Sequence, residues 1–357
     1  MKKICCMILI AAMLLPVFSG CKEDPEEKNL LFSEGLISVY VDGKWGFMDK
    51  KGEMQIKPKY DSVTEFSCGL AGVGIDEKYG YINTDGEIVI PIKYDGIASF
   101  SEDIALVYVG EEYKYIDTKG NFLFDKSFEF ADSFHEGMAL FSEGEKFGYI
   151  NNKGKVVVEP KYKLASRFSE GLAGVRDAES DLCGFINKKG KLVIDCLYTE
   201  ANLFKDGCAR VSVQGSIGYI NKDGEFILRT SLKADEFSEG YARYTNDDKL
   251  FGFIDMSGKK VIKCEYNFAG PFSNGRALVY TTDDKVGYID TNGNYAVDPV
   301  YELFYSEASA GFSFSSDGYV IVLKNEKFGV VDKNGKVILD CIYDGLDGNL
   351  VILSPFG

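Results

Sequence analysis

Apolar side chains along this chain fall in short bursts that alternate with polar ones, with a period of two rather than the three-to-four spacing of a helix. "LAGVGI" (70–75), "YGYIN" (79–83) and "EIVIPI" (87–92) are rich in β-branched and aromatic residues and are bounded by turn residues, so each predicts a strand. "YDSVTEF" (60–66) predicts a weaker fourth strand. The turn between the second and third of the clear strands starts with Asp or Asn and closes with Gly, from Asp49/Gly52 and Asn83/Gly86 through to Asp332/Gly335. An Asx side chain there accepts backbone N–H bonds, and Gly supplies the positive φ that such a turn needs.

The same group of bursts recurs along the chain. An aromatic–Gly pair, as in "KWGFMDKKG" (44–52), marks each copy at Gly46, Gly80, Gly148, Gly184, Gly218, Gly252, Gly287 and Gly329, with Lys114 in the third copy's slot. Spacings run from 34 to 36 residues, stretching to 42 before the last copy, which makes nine units. A second phrase, "FSEGLAGV" (168–175), returns as "FSEGLISV" at Phe32 and "FSCGLAGV" at Phe66. After its Gly come a small residue (Ala71, Ala105, Ala173) and, two further on, an apolar one (Val73, Val107, Val175), which alternation puts on one face. A small residue there lets the next unit approach, so the phrase encodes packing between units.

These residues, aromatic-Gly-aromatic-Ile-Asp/Asn-x-x-Gly with an apolar run ending in Pro-x-Tyr, resemble the bacterial WG-repeat family from about Phe32 to Tyr343. The resemblance implies exported β-repeat proteins without a defined activity and brings no catalytic residues. The residues themselves predict an all-β tandem array of about nine β-meander units of ~34 residues, none able to bury a core alone. Radial repetition gives a propeller-like ring, linear stacking an open β-solenoid. The chain enters partway into a unit at "LLFSEG" and leaves on a partial unit, "YDGLDGNLVILSPFG"; two half-units that complete one blade favour the ring.

Charge and the N-terminus set the address. Lys2 and Lys3 precede an apolar run, Ile4–Phe18, which is too short to span a bilayer comfortably and reads as an export signal. "VFSGC" resembles a lipoprotein signal, with Cys21 the acylated residue and Phe18 a departure from the preferred Leu; an ordinary signal peptide is the alternative. The expected organisation is a signal over 1–20, an acidic tether over 21–29 and the β-repeat domain over 30–357, lipid-anchored at the envelope, at the outer membrane and on either of its faces. Loss of the two signal lysines takes the net charge from −15 to −17, and only six arginines are present, which argues against nucleic acid and leaves lipid as the only membrane contact.

Candidate chemistry is sparse. His135, the only histidine, replaces Ser in a repeat turn, and there is no Gly-x-Ser-x-Gly elbow or phosphate loop. Lysines inside most Asx turns oppose calcium, so no metal, cofactor or catalytic residue is expected. The cysteines outside the N-terminal segment are dispersed replacements in repeat slots, with a Cys183–Cys208 bridge left open by export. Variation concentrates on the other face of the "LAGV" strand, giving a candidate binding face of Tyr40, Tyr108, Arg176, Arg210, Arg243 and Tyr280; burial of both faces would explain the same variation. The expected function is a non-enzymatic scaffold for an envelope or extracellular protein partner. A glycan or cell-wall binding module is the alternative, since aromatics make up 14% of the chain.

Overall fold

The computed structural model describes residues 30–304, 313–347, 349 and 350; the signal, Cys21 and the tether lie outside them. Nine antiparallel sheets, each a meander, make a β-propeller. Blade two shows the pattern: Ser62–Ser67, Leu70–Ile75, Lys78–Ile82 and Ile88–Tyr94 pair in chain order. In most other blades the first strand shrinks to two residues, such as Leu164–Ala165 in blade five.

The two ends of the chain share blade one. Leu36–Val41, Lys44–Asp49 and Met54–Tyr60 supply three strands, and Gly345–Leu346 fills the first-strand position, with Val39 opposite Leu346 and Tyr40 opposite Gly345. Blade nine, Tyr319–Lys324, Lys327–Asp332 and Val337–Tyr343, packs onto blade one through Phe32, Ile37, Val39, Ile321, Val330 and Leu346. The ring is closed, and the solenoid alternative is excluded.

Hydrophobic burial is concentrated in the seams. Nine apolar clusters occur among the described residues, one between each pair of neighbouring blades. In blades one to eight the central aromatic of the third strand meets the corresponding Phe of the next blade's phrase: Tyr81 with Phe100 and Phe185 with Phe204 at 4.8 Å, Tyr149 with Phe168 at 5.0 Å; in blade nine Val330 takes its place. Such tilted ring pairs add to the apolar area they bury. The small residue after the turn, Ala71 or Ala173, is fully buried, as the close approach of blades requires.

The phrase itself is a two-residue hairpin turn. Glu34 has φ 54° and Gly35 φ 85°, the type I′ signature, and the same pair of signs recurs in the first eight copies, for example Glu136 (54°) with Gly137 (77°) and Glu170 (53°) with Gly171 (86°). Its side chains reach across the seam. Ser101 Oγ donates to the Phe134 carbonyl at 2.7 Å, and the Glu136 carboxylate accepts the Gly171 N–H at 2.9 Å. Every seam carries at least one such bond. Cys68 replaces Glu in blade two, where Ser67 to the Phe100 carbonyl serves, and Asp317 closes the circle by accepting the Leu31 N–H.

The aromatic–Gly pair has a separate cause. The third and fourth strands lose register at this point, as between Phe147 and Tyr149. A Cβ on Gly148 would lie 2.8 Å from the Pro160 nitrogen and 3.0 Å from the Glu159 carbonyl carbon, and closer still to the Val158 carbonyl oxygen. Only Gly admits that backbone approach. Blade three, with Lys114 in this slot, keeps only Gly96–Ile97, Ile104–Val109 and Glu112–Asp117 as regular strands; isolated bridges Tyr113–Phe128 and Ile116–Phe122 replace the fourth.

Candidate functional site

The repeat frame breaks most clearly between blades six and seven. Blade six comprises Glu200–Ala201, Ala209–Val213, Ser216–Ile220 and Phe226–Thr230; blade seven comprises Lys233–Ala234, Tyr241–Thr245, Phe251–Asp255 and Lys260–Tyr266. In the other blades an aromatic residue ends the apolar run and stands opposite the third strand, as Tyr94 opposite Tyr79 or Tyr198 opposite Cys183, and Phe128 opposite Tyr113 in blade three. In blade six the residue opposite Ile217 is Thr230. The ring that fills the other seams is missing here, and a cleft of about 440 Å³ opens beside Ile217.

Arg210, Lys233, Asp235, Arg243, Tyr244, Thr245 and Phe251 line this cleft. Arg210 and Arg243 hold the strand position that is Leu106, Leu140 or Leu278 elsewhere. Arg243 is anchored: its Nε donates to the Asp235 carboxylate, its Nη1 to the Ala269 carbonyl at 2.7 Å, and its guanidinium lies 5.4 Å from the Phe268 ring centroid. Arg210 gives its Nε to the Ala234 carbonyl at 2.9 Å and leaves its outer edge 3.7 Å from the mostly exposed Glu200 carboxylate. Lys233 has no ion-pair partner among the described residues. Tyr219 OH, beneath them, donates to the Asp235 carbonyl, and burial raises its pKa well beyond the ordinary phenol range. Burial, then the contact with the Cys264 thiol, pushes Tyr244 up to about 12, so it stays neutral.

The structure separates the other members of the candidate face. Arg176 binds the Asp181 carbonyl at 2.8 Å and the Thr199 carbonyl of blade six at 3.0 Å. Tyr40 packs on Trp45 at 5.1 Å and Tyr108 on Tyr113 at 5.0 Å, while Tyr280 OH donates to Asp284 at 2.8 Å. All six are half-buried, and Arg210 and Arg243 share a cleft. Lys233, Phe251 and the Thr230 replacement were not read from the sequence; the absent Pro-x-Tyr in "EFILRTSLKA" (225–234) is the signal that marks them.

The remaining chemical candidates resolve into structure. Each Asx side chain is spent on its own turn: Asn187 Oδ1 accepts from Lys189 N–H at 3.0 Å and Lys191 N–H at 3.1 Å. Among the described residues no group of three or more His, Cys, Asp or Glu is placed to hold a metal. Cys183 and Cys208 are both free, because they face opposite seams of blade six. Burial pushes the Cys208 thiol up to about 11, which keeps it unreactive.

A model of the WG containing repeat matches nine consecutive segments, from 45–79 through to 328–349. The chain belongs to the WG-repeat family. No curated protein sequence matches this WG-repeat chain. Among solved structures it is similar to a eukaryotic initiation factor, with a TM-score of 0.57 at 10% identity over 85% of this chain and 94% of that one. It is also similar to the computationally designed Ika8 protein (TM-score 0.42, 12% identity, 77% and 95% covered) and to BamB from Moraxella catarrhalis (0.41, 9%, 77% and 94%). Only the first overlays closely enough to speak for the architecture, and at such identity it speaks for nothing further.

Proposed function

We propose that this WG-repeat propeller is a non-catalytic scaffold that holds a partner protein, and that acylation of Cys21 keeps it at the cell envelope. One observation supports the reading above all: the contacts between blades repeat around the ring, and the seam whose fourth strand ends in Thr230 in place of an aromatic residue gathers Arg210, Lys233 and Arg243 on a molecule of net charge −15. Function in repeat proteins lies where a rigid frame presents departures from its own consensus. The glycan alternative loses its best platform, since Trp45, the only tryptophan, is buried against Tyr40.

The test is capture from a solubilised, crosslinked envelope extract on immobilised residues 22–357. Wild-type protein is expected to enrich one protein that Arg210→Leu/Lys233→Gln loses. If no protein is enriched, or polysaccharide alone is retained, the scaffold reading fails. For the address, a clickable fatty-acid label is expected on the full chain and absent from Cys21→Ser; equal labelling of both would remove the anchor.

A further inference from the structure

Resting on the scaffold reading, we infer that the cleft between blades six and seven is a carboxylate-recognition site that takes an acidic side chain of the partner's polypeptide. The chain contains only six arginines, and five of them, Arg167, Arg176, Arg210, Arg229 and Arg243, fall in blades five to seven. Two of these, Arg210 and Arg243, line one cleft. Their positions are apolar, small or Ser in the other blades, so the frame does not require them there.

The cleft has the parts that carboxylate binding needs. Arg243 is held rigidly, through Asp235, the Ala269 carbonyl and the Phe268 ring. Arg210 is fixed at Nε by the Ala234 carbonyl, so its planar outer edge is oriented before any ligand arrives. A guanidinium edge matches a carboxylate with two parallel N–H donors, and a preset orientation lowers the cost of binding. The present neighbour of that edge, Glu200, is 63% exposed at 3.7 Å, the kind of solvated pair that gives way to a better-placed anion. Lys233 adds an exposed cation to the lining. Ile217 and Phe251 supply apolar walls for the methylenes of a Glu side chain, and about 440 Å³ holds one or two residues but not a folded element. The sign of the site opposes the overall charge of the protein. An acidic ligand therefore meets a like-charged molecule overall and opposite charge in this cleft.

The probe is acetyl-tetraglutamate-amide, with acetyl-tetraglutamine-amide as its uncharged twin, measured by isothermal titration and by ¹⁵N chemical shifts on residues 22–357. The expected result is binding of the glutamate peptide only, with shifts confined to blades six and seven, and weakening of about tenfold in Arg210→Leu, as loss of a charge-assisted pair predicts. Leu is the frame's own residue at this position, so the variant is expected to fold; its thermal midpoint checks this. Lys233→Gln, an exposed change, gives a second reading independent of packing. The inference is overturned by equal binding of both peptides, by equal binding to wild type and both variants, or by inorganic phosphate displacing the peptide at matched concentration. Failure here with partner capture retained by Arg210→Leu/Lys233→Gln would remove the cleft and leave the scaffold standing. Failure of capture with peptide binding intact would do the reverse.

Discussion

Gly148→Ala tests why the repeat carries its signature glycine. The added methyl meets three backbone atoms of the fourth strand, with Pro160 N at 2.8 Å and Glu159 C at 3.0 Å. None of these belongs to a flexible side chain. Relief requires the fourth strand to move away from the third, which strains the ladder from Phe147–Tyr162 to Ile150–Val156. Overpacking of this kind costs about 1–3 kcal/mol, and rigid backbone on the opposing side places this case at the upper end. Gly174→Ala is the matched control. It lies in the next blade's second strand, where a Cβ would meet only Ser166 Oγ at 3.4 Å, Phe185 at 3.7 Å and the Ala201 carbonyl at 3.8 Å. There a methyl fits, and the reduced freedom of the unfolded chain is expected to stabilise by about 0.4–1 kcal/mol. Urea unfolding followed by far-ultraviolet circular dichroism measures both. Two glycines in one protein should therefore respond to the same substitution with opposite signs. If Gly148→Ala falls within about 0.5 kcal/mol of wild type, the close-approach explanation is wrong.

Three further outcomes follow. Tyr219→Phe removes the hydroxyl that donates to the Asp235 carbonyl, and should cost about 1 kcal/mol in urea unfolding while keeping the ring pair with Phe237; no loss would mean that the bond is idle. Lys44, Lys78 and Lys163 hold Asp61, Asp95 and Asp181 below the ordinary carboxylate range, by hydrogen bonding first and charge second. With folded values below the ordinary 3.8, these pairs contribute fully above that pH and lose their contribution as pH falls below it through the folded values, so the thermal midpoint should drop more steeply below about pH 4 in wild type than in the triple Asp→Asn variant. Parallel curves would assign acid sensitivity elsewhere. Ending the chain at Tyr343 removes Gly345–Leu346 from blade one, and hydrogen exchange should then rise first in Leu36–Val41, its ladder neighbour, and in the core around Phe32 and Val330; protection that falls evenly around the ring would contradict closure through this blade.

Much of the architecture was legible because each unit solves the same local problems with the same residues. Asx–x–x–Gly turns, alternating strands and the "FSEG" phrase each announce their own geometry. The closing strand was also visible, since "YDGL" (343–346) repeats "YDGI" (94–97), which enters blade three's first strand. What the sequence concealed lies between units. That Glu136 caps Gly171 depends on a residue 35 positions away in the chain, and nothing local shows it. The candidate face mixed two kinds of position for the same reason. Arg210 and Arg243 line one cleft between two blades, whereas Tyr40 and Tyr108 settle on aromatic neighbours within their own blades.

The side-chain-to-backbone bonds across the seams run in one direction: each blade reaches forward to its successor, and Asp317 of the ninth reaches the first. A cycle of head-to-tail bonds has no first member. The place where translation begins is therefore an accident of the gene, not a requirement of the architecture. A permuted gene that joined the two ends of the repeat domain with a linker and opened in the hairpin at Asp76–Glu77 would encode the same circle of contacts. The clasp between the two ends would simply move to a different blade.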